Sequence, residues 1–228
     1  MDDAAFDQAL IAAAFQLAAD KGWRSVSAAA AARAAGLPLA RARERFPGRA
    51  AVLLRFGRLA DQSALAEVPA LGTTRDRLFD LLMRRIDMLQ ANRAGVLALL
   101  RALPSEPPTA LLLTLATRRS MRWMLEAAGV RASGIRGELR VRGLMAVWLW
   151  AVRAWQADES EDLAATMAAL DTALRRAEQA AEWLGWRAGP SEAPEPPAAD
   201  STTEASEIPP PNGWRVQPCR PRPPGRSP

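Results

Sequence analysis

Apolar side chains recur at three- and four-residue intervals from the first turn of the chain to about residue 187, and no stretch alternates strictly. Phe6, Leu10, Ala13, Ala14 and Leu17 share one face of a helix over about residues 4–21. Lys21 in its last turn and Gly22 just beyond are both stop signals. Ser27 is placed to cap a very short helix over 28–35, which Gly36 ends. Pro38 suits the start of a third helix that closes before Pro47, and a fourth follows over about 49–67. Longer helices are predicted near 74–92, 93–103, 108–129, 133–156 and 160–187. The breaks fall at Gly72, at Pro104 with Pro107 and Pro108, at Gly129 and at Asp158. The fold class is all-α: an N-terminal three-helix helix-turn-helix unit within residues 1–58, then a larger helical domain over 59–187.

Composition narrows the chemistry. The chain of 228 residues has no histidine and no tyrosine, and its one cysteine, Cys219, lies near the end. His-based acid/base catalysis, Cys/His zinc sites and disulfide frameworks are thereby excluded. There is no Gly-rich phosphate loop or nucleophile elbow, so no enzyme, cofactor or metal is expected. The acids Asp158, Glu159, Glu161 and Asp162 read as a helix-start cap with solvated charge rather than a metal site. Residues 188–228 hold 12 of the 18 prolines and few apolar side chains, which predicts a disordered Pro-rich tail. No apolar run approaches the roughly 18 residues of a spanning helix, and Met1-Asp2-Asp3 is acidic where a secretory signal is basic. A cytoplasmic protein without stable membrane insertion is expected.

Charge changes the picture further. All basic residues except Lys21 are arginines, and the formal net charge is +5. Nine of them fall between Lys21 and Arg58 against a single acid, Glu44, whereas residues 61–187 are nearly balanced. A local excess of that kind suits a polyanion. It coincides with the helix-turn-helix pattern, in which Gly36 allows the turn and Ala31, Ala32 and Ala35 permit close approach. Leu37, Ala42 and Phe46 would pack inward. Leu39, Ala40, Arg41, Arg43, Glu44 and Arg45 are then left for the outward and flanking surface of the third helix, with Arg33 and Arg49 nearby. Such a helix enters the major groove, where arginine donates twice to guanine. Glu44 would accept from cytosine or pair with Arg41 on the helix surface.

The segments Ile11-Ala-Ala-Ala-Phe15, Lys21-Gly-Trp-Arg-Ser-Val-Ser27, Ala34-Ala-Gly-Leu37 and Arg45-Phe-Pro-Gly-Arg49 resemble the N-terminal domain of tetracycline-repressor (TetR) family regulators. The resemblance implies an all-α homodimer whose first four helices bind double-stranded DNA and whose remaining helices bind a small apolar effector and dimerise. Carried over, it places Arg41 at a base-reading position and Arg43 where a phosphate-touching tyrosine is usual. Arg45 falls at a frequent histidine or aromatic, Arg49 at a backbone-gripping lysine, and Ser27 at a hydroxyl residue that opens the second helix. Ala31 replaces a larger aliphatic and Pro38 the customary Ser.

Trp155-Gln-Ala-Asp-Glu-Ser-Glu-Asp162 followed by Thr166-Met-Ala-Ala-Leu-Asp171 is similar to the lipid-binding accessory proteins of coenzyme Q biosynthesis. That similarity implies the alternative of an isoprenoid-binding protein with a degenerate helix-turn-helix. Met121, Met124, Leu144 and Trp148 either line an apolar pocket or form plain core. The stripe of Leu163, Met167, Leu170 and Leu174, with Trp155, is satisfied equally by packing inside one chain or across a dimer; the TetR resemblance favours the dimer.

Overall fold

A computed structural model describes residues 1–68 and 72–183, and among the described residues there are nine α-helices and two short 3-10 turns. They are α1 (Asp3–Lys21), α2 (Ala28–Ala34), α3 (Leu39–Arg45), α4 (Arg49–Leu65), α5 (Thr74–Gln90), α6 (Arg93–Ala102), α7 (Pro107–Ala127), α8 (Gly134–Ala157) and α9 (Ala164–Trp183). The 3-10 turns are Trp23–Ser25 and Leu103–Ser105. No strand occurs among the described residues, as the 3.6-residue periodicity predicts. Residues 184–187 of the expected last helix and the proline-rich segment 188–228 lie outside the described residues.

The caps follow from the sequence. Asp2 Oδ1 accepts from Ala5 N at 2.7 Å, Ser27 Oγ from Ala30 N at 3.1 Å, and Thr73 Oγ1 from Asp76 N at 3.2 Å. Asp76 reaches back to Thr73 N, completing a capping box. The final helix departs from expectation: it begins at Ala164, not near residue 160. Asp158 is the reason. Its carboxylate turns back to accept from Ser160 N and Oγ and from Thr166 N and Oγ1. The intervening residues form a tight loop in which Leu163 takes a left-handed φ of 54°. Those hydroxyl and amide donors hold the Asp158 carboxyl well below the ordinary carboxylate range.

α1, α2, α3 and α4 enclose one end of a continuous apolar core, in which Phe6, Leu10, Phe15, Trp23, Phe46 and Val52 are fully or almost fully buried. Phe15 packs against Phe56 at 4.5 Å and against Trp23 at 6.0 Å between ring centroids. α4 runs through the expected boundary at residue 58 and also packs on α5 and α7, so the two parts share a helix. A second joint is the contact of α1 with α6. Gly95 lies so close to the α1 backbone that a Cβ there would stand 2.2 Å from the Phe15 carbonyl oxygen.

α5, α7, α8 and α9 pack around the rest of the same continuous core, and here two sets of expected site residues are deeply covered. Met121 and Met124 are completely buried, and Trp148 lies beneath the Arg85 guanidinium at 5.2 Å, so these three are core rather than pocket lining. Arg85, itself buried, pairs with Asp61, which also accepts from Ser120 Oγ at 2.6 Å. Burial alone pushes the Arg85 guanidinium down to about 10. Likewise Trp155, Leu163, Leu170 and Leu174 are buried within this chain and leave only the half-buried Met167 near the surface. Trp155 Nε1 donates to Gln90 Oε1 at 2.8 Å, and its ring lies under Arg93. Arg93 donates to the carbonyls of Trp155, Gln156 and Asp158, satisfying the open end of α8. The intrachain partner, α5 with α8, won that stripe.

Candidate nucleic-acid interface

Gly36 takes φ +64° in the turn after α2, and Leu37 N closes the bend on Ala32 O at 2.8 Å. Fully buried Ala31 and Ala32 face nearly buried Ala42 and Phe46, so small side chains bring α2 and α3 together at a fixed angle. The helical repeat then decides what α3 shows. Ala42 and Phe46 point to the core, and the opposite ridge, Ala40 and Glu44, is exposed. Leu39 and Arg43 form one shoulder of that ridge; Arg41 and Arg45 form the other.

The first shoulder borders a cavity of about 530 Å³ between the start of α2 and the turn into α4, lined by Ser27, Leu39, Arg43 and Arg49 among others. Four side chains expected to meet DNA thus converge on one concave face. Arg43 is exposed and donates to the Pro47 carbonyl at 3.0 Å. Arg33 is exposed on α2, outside this concavity.

The second shoulder differs from expectation. Arg41 Nη2 meets Asp3 Oδ1 at 2.5 Å, its Nη1 donates to Met1 O at 3.1 Å, and the guanidinium lies 4.6 Å over the Phe6 ring. It therefore does not pair with Glu44. Arg45 turns inward: its Nε and Nη2 donate to the two oxygens of Asp7 at 2.7 and 2.8 Å, and Nη1 meets Asp3 at 2.7 Å. Arg55 of α4 donates to Asp7 as well, at 2.6 Å. Asp7 is 1% exposed, so one buried carboxylate ties α1, α3 and α4 together. The hydrogen bond from Arg45 foremost, with the charge of Arg55, holds its carboxyl below the ordinary range against the opposing effect of burial. Asp3 is lowered too, chiefly by the hydrogen bond from Arg41.

Arg49 is likewise engaged. It meets Glu106 at 3.2 Å, and Arg24 approaches the same carboxylate at 3.7 Å. Glu106 precedes α7 and is nearly buried, so these arginines lean on the larger helical part. Asp3, Asp7, Arg55 and Glu106 were all missed by the sequence reading. One signal was available for the first two: Asp3, Asp7, Leu10 and Ala14 fall on a single stripe of α1, and an acid inside an apolar stripe calls for a buried cation.

No group of His, Cys, Asp or Glu with metal-ligand geometry occurs among the described residues. Among them no single helix is long and apolar enough to cross a membrane.

No protein-family sequence profile and no curated protein matches the chain. Solved structures do. A TetR transcriptional regulator from Nitrosomonas europaea superposes with a TM-score of 0.62 at 21% identity, over 77% of this chain and 99% of that one. A TetR-family regulator from Streptomyces coelicolor gives 0.56 at 22% identity, over 81% and 87%. A putative TetR-family regulator from Rhodococcus sp. gives 0.54 at 17%, over 75% and 97%. Helix order, the α2–α3 turn and these superpositions agree: the chain has the fold of the TetR-family transcriptional regulators.

Proposed function

We propose that this protein is a DNA-binding transcriptional regulator, a repressor that holds a near-palindromic operator as a homodimer and is released by a small apolar effector. The observation that carries it is the concave face bearing Ser27, Leu39, Arg43 and Arg49 beside the bare Ala40–Glu44 ridge. In this reading α3 enters the major groove, where Arg43 reaches guanine or phosphate and Glu44, left free by Arg41, accepts from a cytosine amino group. Arg45 instead fixes the angle of α3. Retention of DNA fragments flanking the gene, measured at several salt concentrations, tests the reading. Arg43→Ala should weaken binding about tenfold, a loss in the 1–3 kcal/mol range of one arginine contact. Retention indifferent to both salt and Arg43 sinks it.

Dimerisation is supported by a different surface from the one the sequence singled out. Ile135, Leu139, Leu149 and Trp150 stand exposed along one face of α8, Ile135 by 84% and Trp150 by 54%. Exposed Arg142 and Arg153 share that face, and large apolar side chains set among arginines suit a two-fold contact. Trp150→Glu is expected to raise the dimer dissociation constant by at least about 30-fold, as a central tryptophan is worth about 2 kcal/mol. Light scattering behind a sizing column reads it, and an unchanged dimer would move the contact elsewhere.

For the effector, the supporting feature is a cavity of about 540 Å³ between α5, α7, α8 and α9, within the usual size of small-molecule sites. Leu78, Leu125, Val130, Leu144 and Leu174 line it, whereas Met121, Met124 and Trp148 do not. Arg75, Arg140, Glu178 and Glu182 give its rim balanced charge, which favours an uncharged ligand. Gly143 also lines it, and a Cβ there would meet nothing within 4 Å. Gly143→Leu should therefore fill the cavity without disturbing the core and abolish uptake of the uncharged probe N-phenyl-1-naphthylamine, followed by fluorescence. Full uptake by the variant would remove this cavity as the effector site. Isoprenoid lipid co-purifying with a protein that retains no DNA would favour the accessory-protein alternative.

A further inference from the structure

The recognition helix carries its own competitor for DNA. Arg41 sits on the shoulder of the exposed α3 ridge, yet its guanidinium is taken up by the first turn of α1, through Asp3 Oδ1 at 2.5 Å and the Met1 carbonyl at 3.1 Å. The same Asp3 accepts from Arg45 at 2.7 Å through its other oxygen. These two contacts differ in kind from the Asp7 cluster beneath them. Asp7 is buried and accepts three hydrogen bonds from Arg45 and Arg55, whereas the Asp3 side chain is 65% exposed and that of Arg41 is 33% exposed. An exposed ion pair is weak in water, so a phosphate or a base edge can displace it.

We propose that Asp3 is an affinity- and specificity-setting residue: it holds Arg41 off the duplex until a correct site supplies a better acceptor. The inference rests on the DNA-binding reading above. Its physical content is an exchange. Free protein keeps the Arg41–Asp3 pair; bound protein trades it for an Arg41–DNA contact and leaves Asp3 to water. Random-sequence DNA offers only phosphate charge, which the lost pair partly cancels. A site that seats Arg41 against two acceptors of a guanine gains more than the pair is worth. Asp3 therefore lowers non-specific binding more than specific binding and widens the gap between them.

The experiment uses the full chain and a mixed-sequence duplex of about 30 base pairs, long enough for two successive major grooves, read by fluorescence anisotropy at low and moderate salt. Asp3→Asn is compared with Asp2→Ser, which removes the same charge one residue away. Asp2 touches no arginine and caps α1 through Ala5 N, a role serine can take over. The expected result is three- to tenfold tighter binding for Asp3→Asn, with the salt dependence steeper by about one phosphate contact (a slope change near −0.9). Asp2→Ser should change affinity by less than twofold, and Arg41→Ala in the Asp3→Asn background should cancel the gain. Circular dichroism confirms equal helicity. Equal gains for Asp3→Asn and Asp2→Ser reduce the effect to bulk charge and overturn the proposal. So does an Asp3→Asn gain that survives Arg41→Ala, or no gain at all from a wild type that does bind. If none of the proteins retains DNA at any salt, the DNA-binding reading itself has failed and takes the proposal with it.

Discussion

Replacing Asp7 by alanine is expected to lower the unfolding free energy by about 3 kcal/mol, among the largest losses available to a single substitution here. The carboxylate is 1% exposed and accepts three hydrogen bonds from Arg45 and Arg55. Removing it leaves two guanidinium groups facing each other beside an apolar cluster. Because both arginine side chains remain about a quarter exposed, they can swing toward water. That relief keeps the loss at the lower end of the 3–5 kcal/mol seen when one member of a buried pair is deleted. Asp7→Asn, which keeps the shape but loses the charge, should fall between. Urea unfolding followed by circular dichroism measures all three proteins.

The pH dependence gives a second readout with a definite sign. The Asp7 carboxyl titrates below its unfolded value near 4, so its contribution is complete above that value. It is lost as pH falls through the lowered folded value. Wild type should therefore lose stability below about pH 4 more steeply than Asp7→Asn, and the two curves should converge in acid. Parallel curves would show that the buried carboxylate is not what braces α3.

The helix count, the α2–α3 turn and the inward set Leu37, Ala42 and Phe46 were legible because each rests on local rules. Gly36 has to take a positive φ, and Ala42 and Phe46 sit one turn apart. The state of the arginines was not legible. Counting charge within residues 21–58 showed one acid, but the acids that engage Arg41, Arg45 and Arg49 come from Asp3, Asp7 and Glu106, outside that window. Folding brings three acids in, and the basic residues of the window left without an ion pair among the described residues are the exposed Lys21, Arg33, Arg43 and Arg58. The α9 stripe failed for a related reason. Periodicity states that Leu163, Leu170 and Leu174 must be covered; it does not say by what, and here this same chain covers them.

The same limit applies to glycine, where the contacts decide the sign of one chemical change. Gly95→Ala is expected to destabilise by about 1–3 kcal/mol, because the new methyl would stand 2.2 Å from the Phe15 carbonyl oxygen and 2.7 Å from its carbon. Both are backbone atoms of α1 and cannot swing aside, so α1 and α6 must separate by about 1 Å to restore ordinary van der Waals spacing. Gly57→Ala, in the middle of α4, meets nothing within 4 Å and should stabilise by about 0.5–1 kcal/mol through helix propensity alone. Denaturant midpoints of the pair distinguish a close helix crossing from a flexible one. Because the α1–α6 crossing joins the helix-turn-helix unit to the rest, a folded Gly95→Ala protein should also bind DNA more weakly. A Gly95→Ala midpoint equal to or above that of wild type would show that the two helices do not meet this closely, and would remove the crossing as the rigid joint through which the larger domain could move α3.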